Sequence, residues 1–271
     1  MHVIRTYGGA FVIVGLVAAL TSGCGASAKG TAGEAARTPS AAGPKAAPVS
    51  AARLARLPHA TTYGTVHGAP ADPAPNAPLD GTVVHPARDT PVYDRPGGKP
   101  IAVLPAKQLD GPTWVPVIAD QGGWRRVLLP SRPDHTSGWL PTDKTQHTAT
   151  SAYRIAVDRG AHRLTLTEAG RRLGAWTVAV GTAKNPTPAG RTFLLASLSP
   201  PKPTYSKLIL PLGTHSNSLD SFGGGPGTVA LHGWPDKSVF GHDVSHGCVR
   251  TPPAALGTLS RVPLGSPVQI T

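Results

Sequence analysis

Cysteine is almost missing: the 271 residues contain two, Cys24 and Cys248, and methionine occurs once. Two cysteines supply neither the bridges of a small disulfide-built scaffold nor a four-cysteine zinc site. Acidic side chains are scarce too, 14 against 26 Lys and Arg, for a formal net charge of +12. That surplus points to an anionic partner, and by itself leaves nucleic acid, acidic lipid and anionic wall polymer open. The apolar run Gly8 to Leu20 is too short to span a bilayer comfortably. What the chain has in abundance is 32 Gly and 30 Pro. Both break regular helix, which argues against a helical bundle or coiled coil and for short strands, turns and linkers.

The N-terminus combines Arg5, the apolar run and the small residues Thr21, Ser22 and Gly23 before Cys24. A charged start, a short apolar core and small residues at the end describe an export signal. The cysteine directly after it resembles the acylation site of a bacterial lipoprotein, implying a leader over 1–24 and lipidation of Cys24. Export to the outer face of the cytoplasmic membrane removes nucleic acid as the partner. Acidic headgroups and wall polymers suit the basic charge better. Residues 25–80 are rich in Ala, Pro, Gly, Ser and Thr, with Tyr63 their one aromatic. The composition predicts a disordered tether, since so little apolar surface cannot offset chain entropy. Ala51 to Leu57 is the one piece expected to make a helical turn.

A first folded unit is expected over 81–142. Short apolar stretches recur at Pro91–Tyr93, Ile101–Leu104, Thr113–Ala119, Trp124–Leu128 and Gly138–Leu140, separated by glycine-rich turns. Five short strands predict a small barrel. The series VYDRPGG, IAVLP, GGWRRVLL and SGWL resembles a bacterial Src-homology-3-like domain, whose relatives often bind wall material or pack on a catalytic neighbour. Trp124 and Trp139 read as core. The polar stretch Asp143 to Ser151 reads as a linker.

A second period-two pattern runs over 151–271. Tyr153, Ile155 and Val157 share a face, followed by Leu164 and Leu166, then Trp176, Val178 and Val180. Strands are also expected around Phe193, over Thr228 to His232, and at Val268 and Ile270. One helix is predicted from Pro252 to about Arg261, with Thr251 as its N-cap. Pro200 to Gly227 has the length of a lid. The fold class is therefore all-β, two β-units with one short C-terminal helix.

Chemistry concentrates in LHGWPDKSVFGHDVSHGCVR, residues 231–250. A thiol of ordinary acidity is only about 3% thiolate at neutral pH, so a nucleophilic cysteine needs a base beside it and donors for the oxyanion. Ser245-His246-Gly247-Cys248 is a tight turn whose amides are able to converge on one point. His242, His246 and Cys248, with Asp243, have spacing that also admits zinc. That alternative gives His232 and the turn no purpose, so no metal is expected.

His232-Gly233, twelve residues, then Ser245-His246-Gly247-Cys248-Val249-Arg250 resembles the signature of the L,D-transpeptidase catalytic domain. Thr187-Pro188-x-Gly190-x-x-Phe193 is similar to that family's strand entry. The resemblance implies a β-sandwich, with Cys248 as nucleophile and His232 as base, oriented by the Gly233 carbonyl. It implies an oxyanion hole from the amides of His246, Gly247 and Cys248. Arg250, Ser245, Tyr205 and Trp234 become candidate substrate-binding residues. The implied partners are peptidoglycan stem peptides as acyl donor and acceptor, with carbapenem-type β-lactams as inhibitors and the membrane surface reached through a lipid anchor. The implied reaction is 3→3 cross-linking. L,D-carboxypeptidase activity, protein-to-wall ligation and a catalytically inert wall-binding lipoprotein are the alternatives.

Overall fold

The expected strands of the first unit form where turn chemistry separates them. In the computed structural model, which describes residues 43–202 and 205–271, they are β1 (Thr82–Pro86), β2 (Thr90–Tyr93), β3 (Pro100–Leu104), the two-residue pair β4 (Lys107–Gln108) and β5 (Gly111–Pro112), β6 (Val115–Gln121), β7 (Trp124–Leu128), β8 (Ser137–Pro141) and β9 (Gln146–Thr150). Seven of them make one sheet in the order β3-β2-β8-β7-β6-β1-β9. The linker expected over 143–151 is corrected here. Its threonines alternate along an edge strand, and β9 pairs antiparallel with all of β1.

The second set is β10 (Tyr153–Asp158), β11 (Arg163–Glu168), β12 (Arg171–Thr177), β13 (Val180–Gly181), β14 (Gly190–Phe193), β15 (Ile209–His215), β16 (Thr228–Gly233), β17 (Asp243–Ser245), β18 (Val249–Thr251) and β19 (Pro267–Ile270). A five-stranded sheet, β12-β11-β10-β19-β14, faces a three-stranded one, β15-β16-β18. Alternation turns Ile155, Val157, Leu164, Leu166, Val268 and Ile270 of the first toward Leu210, Leu212, Val229, Leu231 and Val249 of the second, in one buried cluster. The fold is all-β, a sandwich closed on one side by a short helix.

That helix, α2 (Pro253–Leu259), begins one residue later than predicted. Pro252 is its N-cap and gives no side-chain cap. Thr251 ends β18 instead, and its Oγ1 donates to the His232 carbonyl oxygen at 3.2 Å. Ala255, Leu256 and Leu259 bury α2 against the sandwich core. The lid expected over Pro200–Gly227 is also corrected, because β15 occupies its middle. Pro211 disguised that strand: it lacks a ladder donor, and the register of β15 on β16 shifts between Pro211 and His215.

Cys24 and residues 25–42 lie outside the described residues. The rest of the expected tether, 43–80, is folded. A four-residue helix, α1 (Ala51–Leu54), is capped by Ser50. Beyond it Ala60, Val66 and Leu79 are buried in the same cluster as β2, β3, β6 and β7. The backbone bonds in turn to the first unit: Ala60 N–H to Val103 O, Val66 N–H to Arg132 O, and Ser137 N–H to Pro70 O. Asp72 makes a bidentate pair with Arg191 of β14, at 2.7 Å and 2.5 Å. A segment too poor to build a core can still dock its few apolar groups on cores made by others. Phe193 and Leu195 lie in the first unit's cluster too, so the two sheets are joined through packed side chains. The described residues belong to one compact unit.

Candidate active site

The site lies on the cleft face of the three-stranded sheet. β16 and β18 are parallel, with Leu231 opposite Val249 and His232 opposite Arg250. Period two sends Val229, Leu231 and Val249 into the core and presents Thr228, Ala230, His232, Cys248 and Arg250 to the cleft. Those five line a cavity of about 640 Å³ together with Tyr205, Phe222, Trp234, Ser245 and His246. Every predicted catalytic side chain is therefore at one place.

His232 is buried, and its Nδ1 lies 2.7 Å from the Gly233 carbonyl oxygen. A carbonyl only accepts, so Nδ1 carries the proton and Nε2 keeps its lone pair. Burial pushes the His232 pKa below its ordinary value, outweighing the Gly233 hydrogen bond, and the Arg250 charge adds to the depression. Burial likewise pushes the Cys248 thiol up, against a backbone hydrogen bond from Ala230 and the Arg250 charge. Both shifts favour the neutral imidazole and the neutral thiol over the ion pair. Cys248 is a free cysteine, its Sγ 4.0 Å from the Thr228 carbonyl oxygen.

Gly233 is fixed from the other side. Its N–H donates to Ser206 Oγ at 2.7 Å, and that hydroxyl donates to the Leu208 carbonyl at 2.5 Å. Ser206 carries no sequence motif and was not foreseen.

The turn bearing Cys248 needs Gly247, whose φ of +116° lies in the region that disfavours other residues. Ser245 is buried within it. Its hydroxyl donates to the Cys248 carbonyl at 2.6 Å and accepts from the Gly247 N–H at 3.1 Å. Two expectations change as a result. Ser245 braces the turn with both its polar functions, and the Gly247 amide, expected in an oxyanion hole, is bonded within the turn. Thr187 supports it from behind: Oγ1 donates to the Gly247 carbonyl at 2.8 Å and accepts from the Gly181 N–H at 2.9 Å. The Thr-Pro-x-Gly motif was visible in the sequence, but this contact across 60 residues was not.

The aromatic candidates frame the mouth. Tyr205 packs edge-on against His232, ring centroids 5.0 Å apart, and lies 5.8 Å from Trp234. The Arg250 guanidinium stacks on Trp234, with Cζ 3.6 Å from the ring centroid, while its Nε is buried without a hydrogen-bond partner. His246 stacks on Phe222 at 5.0 Å. Of the zinc alternative, Asp243 instead bonds His162, Oδ1 to Nε2 at 2.8 Å. Among the described residues no group of three or more His, Cys, Asp or Glu is placed to hold a metal ion.

No curated protein sequence matches this chain. Among solved structures it is similar to an L,D-transpeptidase from Mycobacterium smegmatis, at 18% identity over 57% of this chain and 80% of that one, with a TM-score of 0.39. It is similar to the catalytic domain of the E. faecium L,D-transpeptidase, at 20% identity over 45% of this chain and 98% of the other, TM-score 0.35. A third is Bd1075 of Bdellovibrio bacteriovorus, at 29% identity over 45% of this chain and 47% of that one, TM-score 0.35. The stretch holding Cys248, His232, Thr187 and the whole sandwich, residues 152–270, matches the YkuD family, the L,D-transpeptidase catalytic domain.

Proposed function

We propose that this protein is a peptidoglycan L,D-transpeptidase that forms 3→3 cross-links through a thioester on Cys248. One observation carries the reading: Cys248 and a His232 whose Nδ1 is committed to the Gly233 carbonyl line the same cavity. Cys248 Sγ attacks the carbonyl of the third, L-configured centre of a tetrapeptide stem while its proton passes to His232 Nε2. The C–N bond to terminal D-Ala breaks, and the departing amine takes that proton. An acceptor amine from a neighbouring stem then attacks the thioester. Its proton passes through His232 to the Cys248 sulfur, which leaves as the thiol. The His246 and Cys248 amides stabilise the oxyanion in both steps. No cofactor enters. Water as acceptor would give L,D-carboxypeptidase chemistry, and a protein amine would give wall anchoring.

Arg250 has one nitrogen unpartnered and its plane held on Trp234. We assign it to a substrate carboxylate, with Tyr205 and Trp234 as the apolar walls. We read 81–142 as a Src-homology-3-like unit beside the catalytic one, and Cys24 as a lipidated anchor on the outer face of the cytoplasmic membrane. Radiolabelled fatty acid retained by the native chain and lost by Cys24→Ser is the outcome the anchor requires.

Incubation with defined tetrapeptide stems, with and without an acceptor stem, tests the reaction. A cross-linked dimer by mass analysis, absent with Cys248→Ala, supports it. Tripeptide alone would make the protein a carboxypeptidase, and unchanged stems an inert binder. A carbapenem should leave one covalent adduct on the native chain, and an adduct persisting in Cys248→Ala would remove the nucleophile assignment.

A further inference from the structure

Arg132 belongs to the first unit, yet its guanidinium serves a loop that lines the Cys248 cavity. Its Nη2 donates to the carbonyl oxygens of Leu219 at 3.1 Å and Pro226 at 2.9 Å, and its Nη1 to that of Ser216 at 3.4 Å. These carbonyls stand on both sides of the neck of loop 216–227, where the Ser216 N–H also donates to the Gly227 carbonyl at 2.8 Å. Gly227 leaves the guanidinium its room: φ is +72°, and a Cβ there would stand 2.9 Å from Nη2. Arg132 is itself fixed, its N–H donating to the Gly64 carbonyl at 3.0 Å and its carbonyl accepting from the Val66 N–H at 2.9 Å. Close by in sequence, Asp134 accepts from the Thr214 hydroxyl and the His215 N–H at the end of β15. One short segment thus offers donors to the loop's carbonyls and an acceptor to the strand that leads into it. A planar guanidinium fork serves several acceptors at once, where an ammonium presents a single point.

At its tip the loop is closed on itself. Phe222 and Gly225 exchange both backbone hydrogen bonds at 3.0 Å, with Gly223 and Gly224 at φ +57° and +81°. That is the geometry of a two-residue hairpin turn, so the tip follows whatever holds the neck. It carries Phe222, which stacks on His246 with ring centroids 5.0 Å apart and lines the cavity with Cys248. Phe222 is 53% exposed, so packing alone holds it weakly.

We propose that Arg132 is a positioning residue for the acyl site: by gripping the neck of loop 216–227, it holds Phe222 as a wall against which the acyl donor binds. The first unit is then a built part of the cleft. The inference rests on reading the Cys248 cavity as the acyl site.

The native chain, Arg132→Ala, Phe222→Ala and the double variant are compared in carbapenem acylation followed by mass analysis. Arg132→Ala should raise the half-saturating carbapenem concentration about tenfold, the scale of a lost charged hydrogen bond. The saturating rate should stay within about twofold, because Cys248 and His232 keep their places. Phe222→Ala should do the same, and the double variant should be no worse than either alone, since Arg132 acts through Phe222. Additive losses, or a loss of stability in urea with unchanged half-saturation, overturn the proposal. A second measurement does not depend on the reaction. Chymotrypsin should cut after Phe222 at least about tenfold faster in Arg132→Ala than in the native chain under native conditions. Equal cleavage rates mean that the neck holds without Arg132, and they overturn the proposal. A native chain that no carbapenem acylates removes the acyl-site reading instead, and the cleavage rates still decide whether Arg132 holds the loop. Should the alanine chain not fold, Arg132→Lys keeps the charge and the stem without the fork. It should shift half-saturation and cleavage in the same direction, and native values for both overturn the proposal.

Discussion

Thr187 Oγ1 donates to the Gly247 carbonyl at 2.8 Å, so a residue entering β14 holds the turn that presents Cys248. The same oxygen accepts from Gly181, which leaves no polar function of this buried hydroxyl idle. Thr187→Val keeps the shape and removes both bonds. It should cost about 1–3 kcal/mol in urea unfolding, the range for stranding buried partners. Carbapenem acylation of Cys248 should slow about tenfold or more, and Thr187→Ser should recover most of both. Loss of stability with an unchanged acylation rate would show that the bond does not position the thiol.

The tautomer of His232 predicts a pH dependence. Burial lowers its pKa, and only the neutral ring accepts the Cys248 proton. Acylation should therefore rise with pH through a midpoint below the ordinary histidine value and be flat around neutrality. The raised thiol should appear as thiolate absorbance only above the usual cysteine range. His232→Ala should slow acylation by about 10²–10⁴-fold, the usual scale of general-base loss. An acid limb that survives this substitution would transfer the role to His246.

The Asp72–Arg191 pair joins the 43–80 segment to β14, and its side chains are 0% and 7% exposed. Breaking it leaves one buried charge unpaired. Asp72→Ala should destabilise by about 3–5 kcal/mol in chemical denaturation, and replacing both residues with apolar ones of similar volume should cost much less. A small effect of Asp72→Ala alone would mean that this segment contributes little to the fold.

Asp134 predicts acid behaviour. Burial by itself would raise its pKa. Hydrogen bonds from the His215 ring, Thr214 and the His215 amide outweigh it and hold the carboxyl below its ordinary value. His215 in turn reaches the Thr62 carbonyl through Nε2 at 2.8 Å. With a depressed folded-state pKa, the stabilisation is complete above the unfolded carboxylate value and is lost as pH falls through the folded one. Unfolding free energy of the native chain should drop across that acid window. Asp134→Asn should be less stable at neutral pH and show a shallower acid slope.

The strands with clean alternation, β10, β11 and β16, were legible because period two places Ile155 and Val157, or Val229 and Leu231, on one face wherever the sheet ends up. The composition of 25–80 misled over its described part, since it measures whether a segment can build a core and not whether one lies nearby to receive Ala60, Val66 and Leu79. Pro211 hid β15 for a related reason: its missing donor is tolerated at a shift in strand register that local sequence does not announce.

By itself the sequence determined the class of the fold, the residues proposed for the chemistry and the glycine that lets the Cys248 turn form, because these follow from alternation, side-chain chemistry and backbone sterics. Tertiary structure alone decided which polar groups are occupied. Ser245 and the Gly247 amide are engaged inside the turn, Thr187 braces it, Ser206 holds the Gly233 N–H, and the Pro- and Ala-rich segment lies on Tyr93 and Trp124. Each of these contacts joins atoms far apart along the chain or fixes the direction of a hydrogen bond, and both depend on how sheets pack rather than on any local pattern of residues.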